Sequence, residues 1–275
     1  MKRIVLAAAV LAAVGGSAIV ATSASSPALP KLTLAMDGSS IAVGGSLQSG
    51  AVDVVSTTTK VKDASPILVR LNPGVTSDQL LAFAGTKAGK DIDNIAKYGT
   101  IVFNAAAPRG TTTVQTSLQA GQYLAVDTTS NKPPIQQPHA TFTVAAAAQP
   151  ASLPKPAATV SAIDFGFTGQ KTLRTGSTVR FVNRGHLAHM LVLMKLAPGT
   201  RPGDVITLLR HGKGDAAQKQ VTDVFQGAGP VAPGASQQLK LTAKPGMYLS
   251  ICFLDTQAGQ DHPSLNMMRV IRVVK

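Results

Sequence analysis

The feature that most constrains this chain is a repeat at a fixed spacing. "ILVRLNPGVTSDQLLAF" at 67–83 answers "VLMKLAPGTRPGDVITL" at 192–208, and "APRGTTTVQTSLQAGQYLAVD" at 107–127 answers "APGASQQLKLTAKPGMYLSIC" at 232–252. Leu71 pairs with Leu196, Pro73 with Pro198, Pro108 with Pro233, Gly121 with Gly246 and Tyr123 with Tyr248, always 125 residues apart. A constant offset over so long a stretch predicts two copies of one folding unit in tandem. Between them, "AAAAQPASLPKPAAT" at 145–159 reads as a Pro/Ala-rich, semi-rigid linker.

Each copy reads mostly as strands. "STVRFVN" and "SQQLKLTA" alternate apolar and polar residues, the period of a half-buried strand. "MLVLMKL" is a continuous apolar run suited to a central strand, and "KPGMYLSICF" sets a Pro-Gly turn before another. One short helix per copy is expected. Thr76 or Ser77 serves as N-cap in the first, and Gly212 as the stop in the second. With 25 Gly, 17 Pro and no Trp, the composition also suits short strands and turns. The expected class is all-β: two Greek-key β-sandwiches, each of seven or so strands. Pattern alone leaves immunoglobulin-like and cupredoxin-like topologies both open.

The start of the chain reads as an export signal, 1–24. Lys2 and Arg3 precede an apolar run, Ile4 to Val20, with a small-residue cleavage region near Ala24. The run is too short to favour a transmembrane helix, and no later stretch is apolar enough to span a bilayer. The expected organisation is signal 1–24, first unit 30–144, linker 145–159 and second unit 160–275, in a periplasmic or secreted protein. The formal charge of +13 becomes +11 once Lys2 and Arg3 leave with the signal. Such a balance attracts acidic partners, an acidic redox protein among them, although a plain solvated basic surface explains it equally. Nucleic acid is a poor partner for dispersed charges with little aromatic interleaving.

The segment "ICFLDTQAGQDHPSLNMM", 251–268, concentrates the chemistry. It holds the only Cys, one of five His and two of seven Met. A lone Cys in an exported protein forms no internal disulfide; it is a buried structural thiol, a link to another chain or a metal ligand. Thiolate, imidazole and thioether become the donor set of a blue-copper site once a second His is added.

The second copy resembles the cupredoxin family in two stretches, "VRFVNRGHLAHMLVL" and "PGMYLSICFLDTQAGQDHPSLNM". In that family a strand ending in Asn leads to the first ligand His, and a Pro-Gly-x-Tyr strand leads to Cys, then His, then Met on one loop. The resemblance implies copper held by His189, Cys252, His262 and Met267, with Met268 as a substitute axial donor. The Cys–His spacing of nine intervening residues is longer than in plastocyanin- or azurin-type loops, Pro263 follows rather than precedes the His, and Asn266 stands where related proteins carry Gly. At the same offset, Cys252 corresponds to Asp127 and His189 to Ala64, so the first copy is expected to lack the site. His139 lies near the end of its loop, and His186 is expected at the rim of the site. Ile251 and Phe253 are expected to keep water from the thiolate.

The implied function is electron transfer with a redox partner protein. The alternatives are a periplasmic copper carrier or buffer and a metal-free β-sandwich binding module. An enzyme is not expected: there is no His-x-His pair for a further copper centre, no nucleophile elbow and no acid pair.

Overall fold

The computed structural model describes residues 28–275; the expected signal, 1–24, lies outside them. The protein is all-β. Strands β1 (Lys31–Met36), β2 (Ile41–Gly45), β3 (Gly50–Ala64), β4 (Pro66–Leu71), β5 (Gly99–Asn104), β6 (Ala107–Leu118), β7 (Gly121–Asp127) and β8 (His139–Val144) form the first half. The second half contains β9 (Ala158–Ile163), β10 (Gly166–Gly169), β11 (Thr172–Arg174), β12 (Thr178–Asn183), β13 (His189–Leu196), β14 (Val221–Val231), β15 (Ser236–Lys240), β16 (Gly246–Ile251) and β17 (Met268–Val274).

Pairing follows one pattern in both halves. β1 runs antiparallel to β2 and parallel to β3, and β3 pairs with β6; β9, β10, β12 and β15 repeat the arrangement. The facing sheets are β5-β4-β7-β8 and β11-β17-β16-β13-β14. Alternation explains the outer sheet: β1 buries Leu32, Leu34 and Met36 and exposes the residues between. Continuous runs explain the central strands β4 and β13, because both faces of their sheets are covered. On one face lies the sandwich core, with Leu68, Phe103 and Tyr123 in the first half and Leu191, Leu193 and Tyr248 in the second. The other face lies under helices. Leu80 and Leu81 of α1 (Ser77–Ala84) and Ile95 of the 3-10 turn Ile92–Lys97 cover the first sheet. Val205 and Leu209 of α2 (Pro202–Arg210) and Ala217 cover the second.

Thr76 caps α1 in a reciprocal capping box with Gln79, and Gly212, in the left-handed region at φ +67°, follows the end of α2. The second half adds a helix that the sequence pattern did not suggest, α3 (Gly214–Gln218), five residues long, which brings Ala217 onto the apolar face. Tyr123 and Tyr248 hold corresponding corners: each hydroxyl donates to the carbonyl four residues upstream, Gln119 at 2.9 Å and Lys244 at 2.7 Å.

The two halves share one eight-stranded sheet, β10-β9-β12-β15-β6-β3-β1-β2. The seam is a short antiparallel match of Gln237 with Thr116 and Gln238 with Gln115. Gln237 is fully buried there, and its amide closes both backbone bonds of Asn104: Nε2 donates to the carbonyl at 2.8 Å and Oε1 accepts the N–H at 2.6 Å. The Pro/Ala-rich segment runs along this sheet. Ala51 N–H donates to Ala151 O at 2.8 Å, and Arg180 Nη2 donates to Pro154 O at 2.7 Å. A Cβ on Gly50 would stand 2.7 Å from Ala151 N, so the segment lies flat only where that residue has no side chain.

Replacing Gln237 with Leu keeps the volume and removes both partners of Asn104. The expected cost is about 2 kcal/mol or more, the penalty of orphaned buried backbone groups, read as a lower denaturation midpoint. An unchanged midpoint would contradict this account of the seam.

Candidate metal centre

The residues of the centre come from one end of the second sandwich. β12 ends at fully buried Asn183, whose side chain shapes the following loop: Oδ1 accepts Gly185 N–H at 2.9 Å, and Nδ2 donates to Leu187 O at 2.8 Å and Val231 O at 2.9 Å. That loop delivers His189 as the first residue of β13. Cys252 directly follows β16, and His262 and Met267 lie on the loop that leads to β17. The loop is closed by its own backbone: His262 N–H donates to Leu254 O at 2.8 Å and Met267 N–H to His262 O at 2.9 Å. Asn266 takes φ +73°, a left-handed conformation that Asn tolerates better than most residues, so Asn can occupy the place where Gly was expected from related proteins.

His189, Cys252 and His262 each present one donor atom, and the three atoms lie within 4.8 Å of one another. Cys252 Sγ is 3.3 Å from His262 Nδ1 and 3.9 Å from His189 Nδ1, and it accepts the N–H of Met190 at 3.4 Å. All three side chains have no exposure, and Met267, also at 0%, belongs to the same buried cluster as Cys252. The imidazole rings are 5.2 Å apart. Burial, joined by the nearby Asp93 carboxylate and only partly offset by the N–H groups of Met190 and Leu254, pushes the Cys252 thiol up to about 11, so without a metal it keeps its proton. Burial also lowers both imidazoles and keeps them neutral, against the opposing pull of Asp164 on His189 and of Asp93 on His262. Two neutral imidazole nitrogens facing one sulfur in a dry cluster, with a thioether nearby, form a donor set that suits copper in both of its common oxidation states.

Sequence reasoning missed the second layer. Asp164 and Phe165 form the turn between β9 and β10. Asp164 Oδ1 is 3.0 Å from His189 Nε2 and accepts that N–H, because Nδ1 faces the sulfur. Backbone N–H groups of His186 (2.9 Å) and Leu187 (3.3 Å) hold the same carboxylate. Burial alone would raise Asp164, yet these donors outweigh it, and its carboxyl lies below the usual range. Gly185 makes room for the pair: a Cβ there would be 2.3 Å from Asp164 Oδ1 and 2.7 Å from His189 Nε2. Phe165, held at φ +61°, sets its ring edge-on to His262, centroids 5.5 Å apart. The only trace in the sequence is a hairpin turn, "IDFGF", which carries no sign of what it faces.

His186 sits exposed at the rim and meets Asp164 through its backbone N–H alone. His139 and His211 are exposed elsewhere, each bonded to a nearby carbonyl. Ile251 is fully buried, but Phe253 is 47% exposed, so the expectation that it shields the thiolate is corrected: alternation along the chain turns it outward. In the first half, Ala64 and Asp127 are buried at the corresponding places. Asp127 Oδ1 accepts from Ser65 N–H, Thr129 N–H and Thr129 Oγ1, so a local turn fills the position that Cys252 holds in the other half.

The arrangement is cupredoxin-like. No protein-family model and no curated protein matches the chain. Among solved structures it is similar to reduced auracyanin from Roseiflexus castenholzii, at 20% identity and a TM-score of 0.28, over 42% of this chain and 95% of that one. Auracyanin A, a "blue" copper protein from Chloroflexus aurantiacus, matches at 17% identity and 0.26, over 42% of this chain and 96% of its own. A Cu-containing nitrite reductase from Thermus scotoductus SA-01 matches at 12% identity and 0.25, over 89% of this chain and 68% of that one. At such scores, only the donor geometry of the cupredoxin-like centre speaks for its chemistry.

Because both imidazoles are harder to protonate in the fold than in the unfolded chain, the unfolded chain binds more protons below the ordinary His value of about 6.5. The metal-free protein should therefore melt at progressively lower temperature as pH falls through about 6.5. A melting temperature that holds steady between about pH 7.5 and 5.5 would contradict buried neutral imidazoles.

Proposed function

We propose that the protein is an exported electron carrier whose second unit, 160–275, would hold one type 1 copper ion through His189, Cys252 and His262, with Met267 as the fourth donor. The observation that carries this reading is the convergence of two imidazole Nδ1 atoms and one thiol on a single buried point. Copper, when bound, supplies a one-electron couple. The chain's own residues do the rest. Cys252 gives up its proton on loading, since a thiolate is the ligand form. His189 and His262 are held neutral with Nδ1 inward, and buried Ile251 and Met267 help exclude water from the donors. Three of the four donors sit on or beside β-strands of one sandwich, so little needs to move when an electron arrives.

The first unit, 30–144, is read as a second copy of the same domain without ligands, joined through 145–159. The shared pairing pattern and the matched Tyr123 and Tyr248 corners support that reading. The charged and apolar start of the chain supports export to the periplasm or beyond. Among the described residues, no helix is long and apolar enough to cross a membrane. Phe253 offers an exposed apolar side chain one residue from the thiol, where a redox protein would approach the centre. The single group of three metal-ligating side chains found among the described residues is the kind of centre that an electron carrier needs.

The chain should take up one Cu(II) with an intense thiolate-to-copper absorption and a narrow hyperfine splitting, and Cys252→Ala should abolish both. Loading at neutral pH should release about one proton, that of the thiol, because the imidazoles carry none to give. A weak, ordinary Cu(II) spectrum that survives Cys252→Ala would instead identify a histidine-based copper carrier.

A further inference from the structure

The first half lacks the ligand set, yet it reaches the centre of the second. Asp93 lies on the 3-10 turn Ile92–Lys97 of the first half, and its Oδ1 accepts the N–H of Ala188 at 2.6 Å. Ala188 is the residue directly before His189. The other carboxylate oxygen, Oδ2, is buried and has no hydrogen-bond partner among the described residues. One further atom at the centre is in the same condition: His262 Nε2, on a side chain with no exposure. Apart from burial, Asp93 is the strongest electrostatic influence on that ring, ahead of Asp255, Asp164 and Asp261.

Chemistry makes the two orphans complementary. A neutral imidazole carries one proton, and the nitrogen that turns toward the ligands must be bare. His262 Nδ1 faces Cys252 Sγ at 3.3 Å, so the proton belongs on Nε2, which is then a donor without an acceptor. Asp93 Oδ2 is an acceptor without a donor. Leaving both buried and unpaired forfeits the hydration of each group with nothing in return, and the loss is larger for a charged one. His189 shows the solution in its direct form, with Asp164 on the nitrogen remote from the sulfur.

We propose that Asp93 is a positioning residue for the metal centre of the other half: its Oδ2 accepts the Nε2–H of His262 through one bridging water and so holds Nδ1 bare toward Cys252. Each ligand histidine is thereby backed by an aspartate, one from its own half and one from the half without the ligand set. The ligandless half then has a role in the chemistry, which deepens the proposed function and, for its copper arm, rests on it. A carboxylate behind a ligand imidazole raises its basicity and favours the more highly charged metal state.

The test uses the full chain and Asp93→Asn, in which Oδ1 still accepts from Ala188 while the charge and the second acceptor are lost. In the metal-free protein, the imidazole 15N spectrum of His262 should show the Nε2–H tautomer in wild type and a mixture of tautomers in D93N. In the copper-loaded protein, affinity for Cu(II) relative to Cu(I) should fall about tenfold in D93N, which is a rise of about 59 mV in reduction potential. A wild-type ring protonated at Nδ1, or a D93N ring identical to wild type, would overturn the proposal and leave Asp93 as a cap on Ala188. In that case Asp93→Ala would lower the melting temperature while D93N left spectrum and potential unchanged. If wild type fails to bind copper but its His262 tautomer depends on Asp93, the copper reading falls and the pairing stands.

Discussion

Two imidazoles and a thiol, all without exposure, meet at a point inside an apolar sandwich, and the surroundings follow from that constraint. Polar side chains are costly to bury unless each finds a partner. The fold answers with Asp164 on the outer nitrogen of His189, a backbone N–H on the sulfur and a Gly at position 185 that leaves room for the Asp164–His189 pair. What stays unanswered is on the inner side, where three donor atoms face one another with no proton to share between sulfur and ring nitrogens except the thiol's own. Such a cluster is poorly satisfied by itself and well satisfied around a soft cation, so burial and metal affinity are two sides of one arrangement.

The β-scaffold supplies the rigidity. His189 opens a central strand that is covered on both faces, and Cys252 directly follows its neighbour, β16. The loop between Cys252 and β17 is tied back through Leu254 and His262, so its extra length does not loosen the donors. The seam with the first half adds a second set of ties. Gln237 pins Asn104 across the shared sheet, Ala232 N–H donates to Ile101 O at 2.9 Å, and Asp93 holds the backbone just before His189. The first half is therefore part of the wall of the centre and not a passenger on a tether.

Much of this was legible in the sequence, for reasons that also mark the limit. The constant offset of 125 between matched residues anticipated the strand pairing that recurs in the two halves, because strand length and turn spacing are written locally. The alternation in β12 and the apolar run in β13 predicted which strands lie half-covered and which lie central. His189, Cys252 and His262, which the structure brings together, stood out because thiols and imidazoles are rare here and their order along the chain resembles a known pattern, although the Cys–His spacing is longer. Asp164 and Asp93 did not: each is one carboxylate among 13, and only the β9–β10 turn brings Asp164 to the His189 ring and only the seam brings Asp93 to the backbone just before it. Phe253 was misjudged because apolar type was taken for burial, while the backbone after Cys252 turns that side chain to solvent. The flat course of 145–159 was hidden as well, since Pro and Ala record stiffness but not what the backbone bonds to.

The most direct test of the central claim is the X-ray absorption fine structure at the copper edge of the loaded, full-length protein. One sulfur at short distance with two imidazole nitrogens, unchanged in coordination number between the oxidised and reduced states, is the result this account predicts. A first shell of nitrogen and oxygen alone, with no short sulfur, would contradict it.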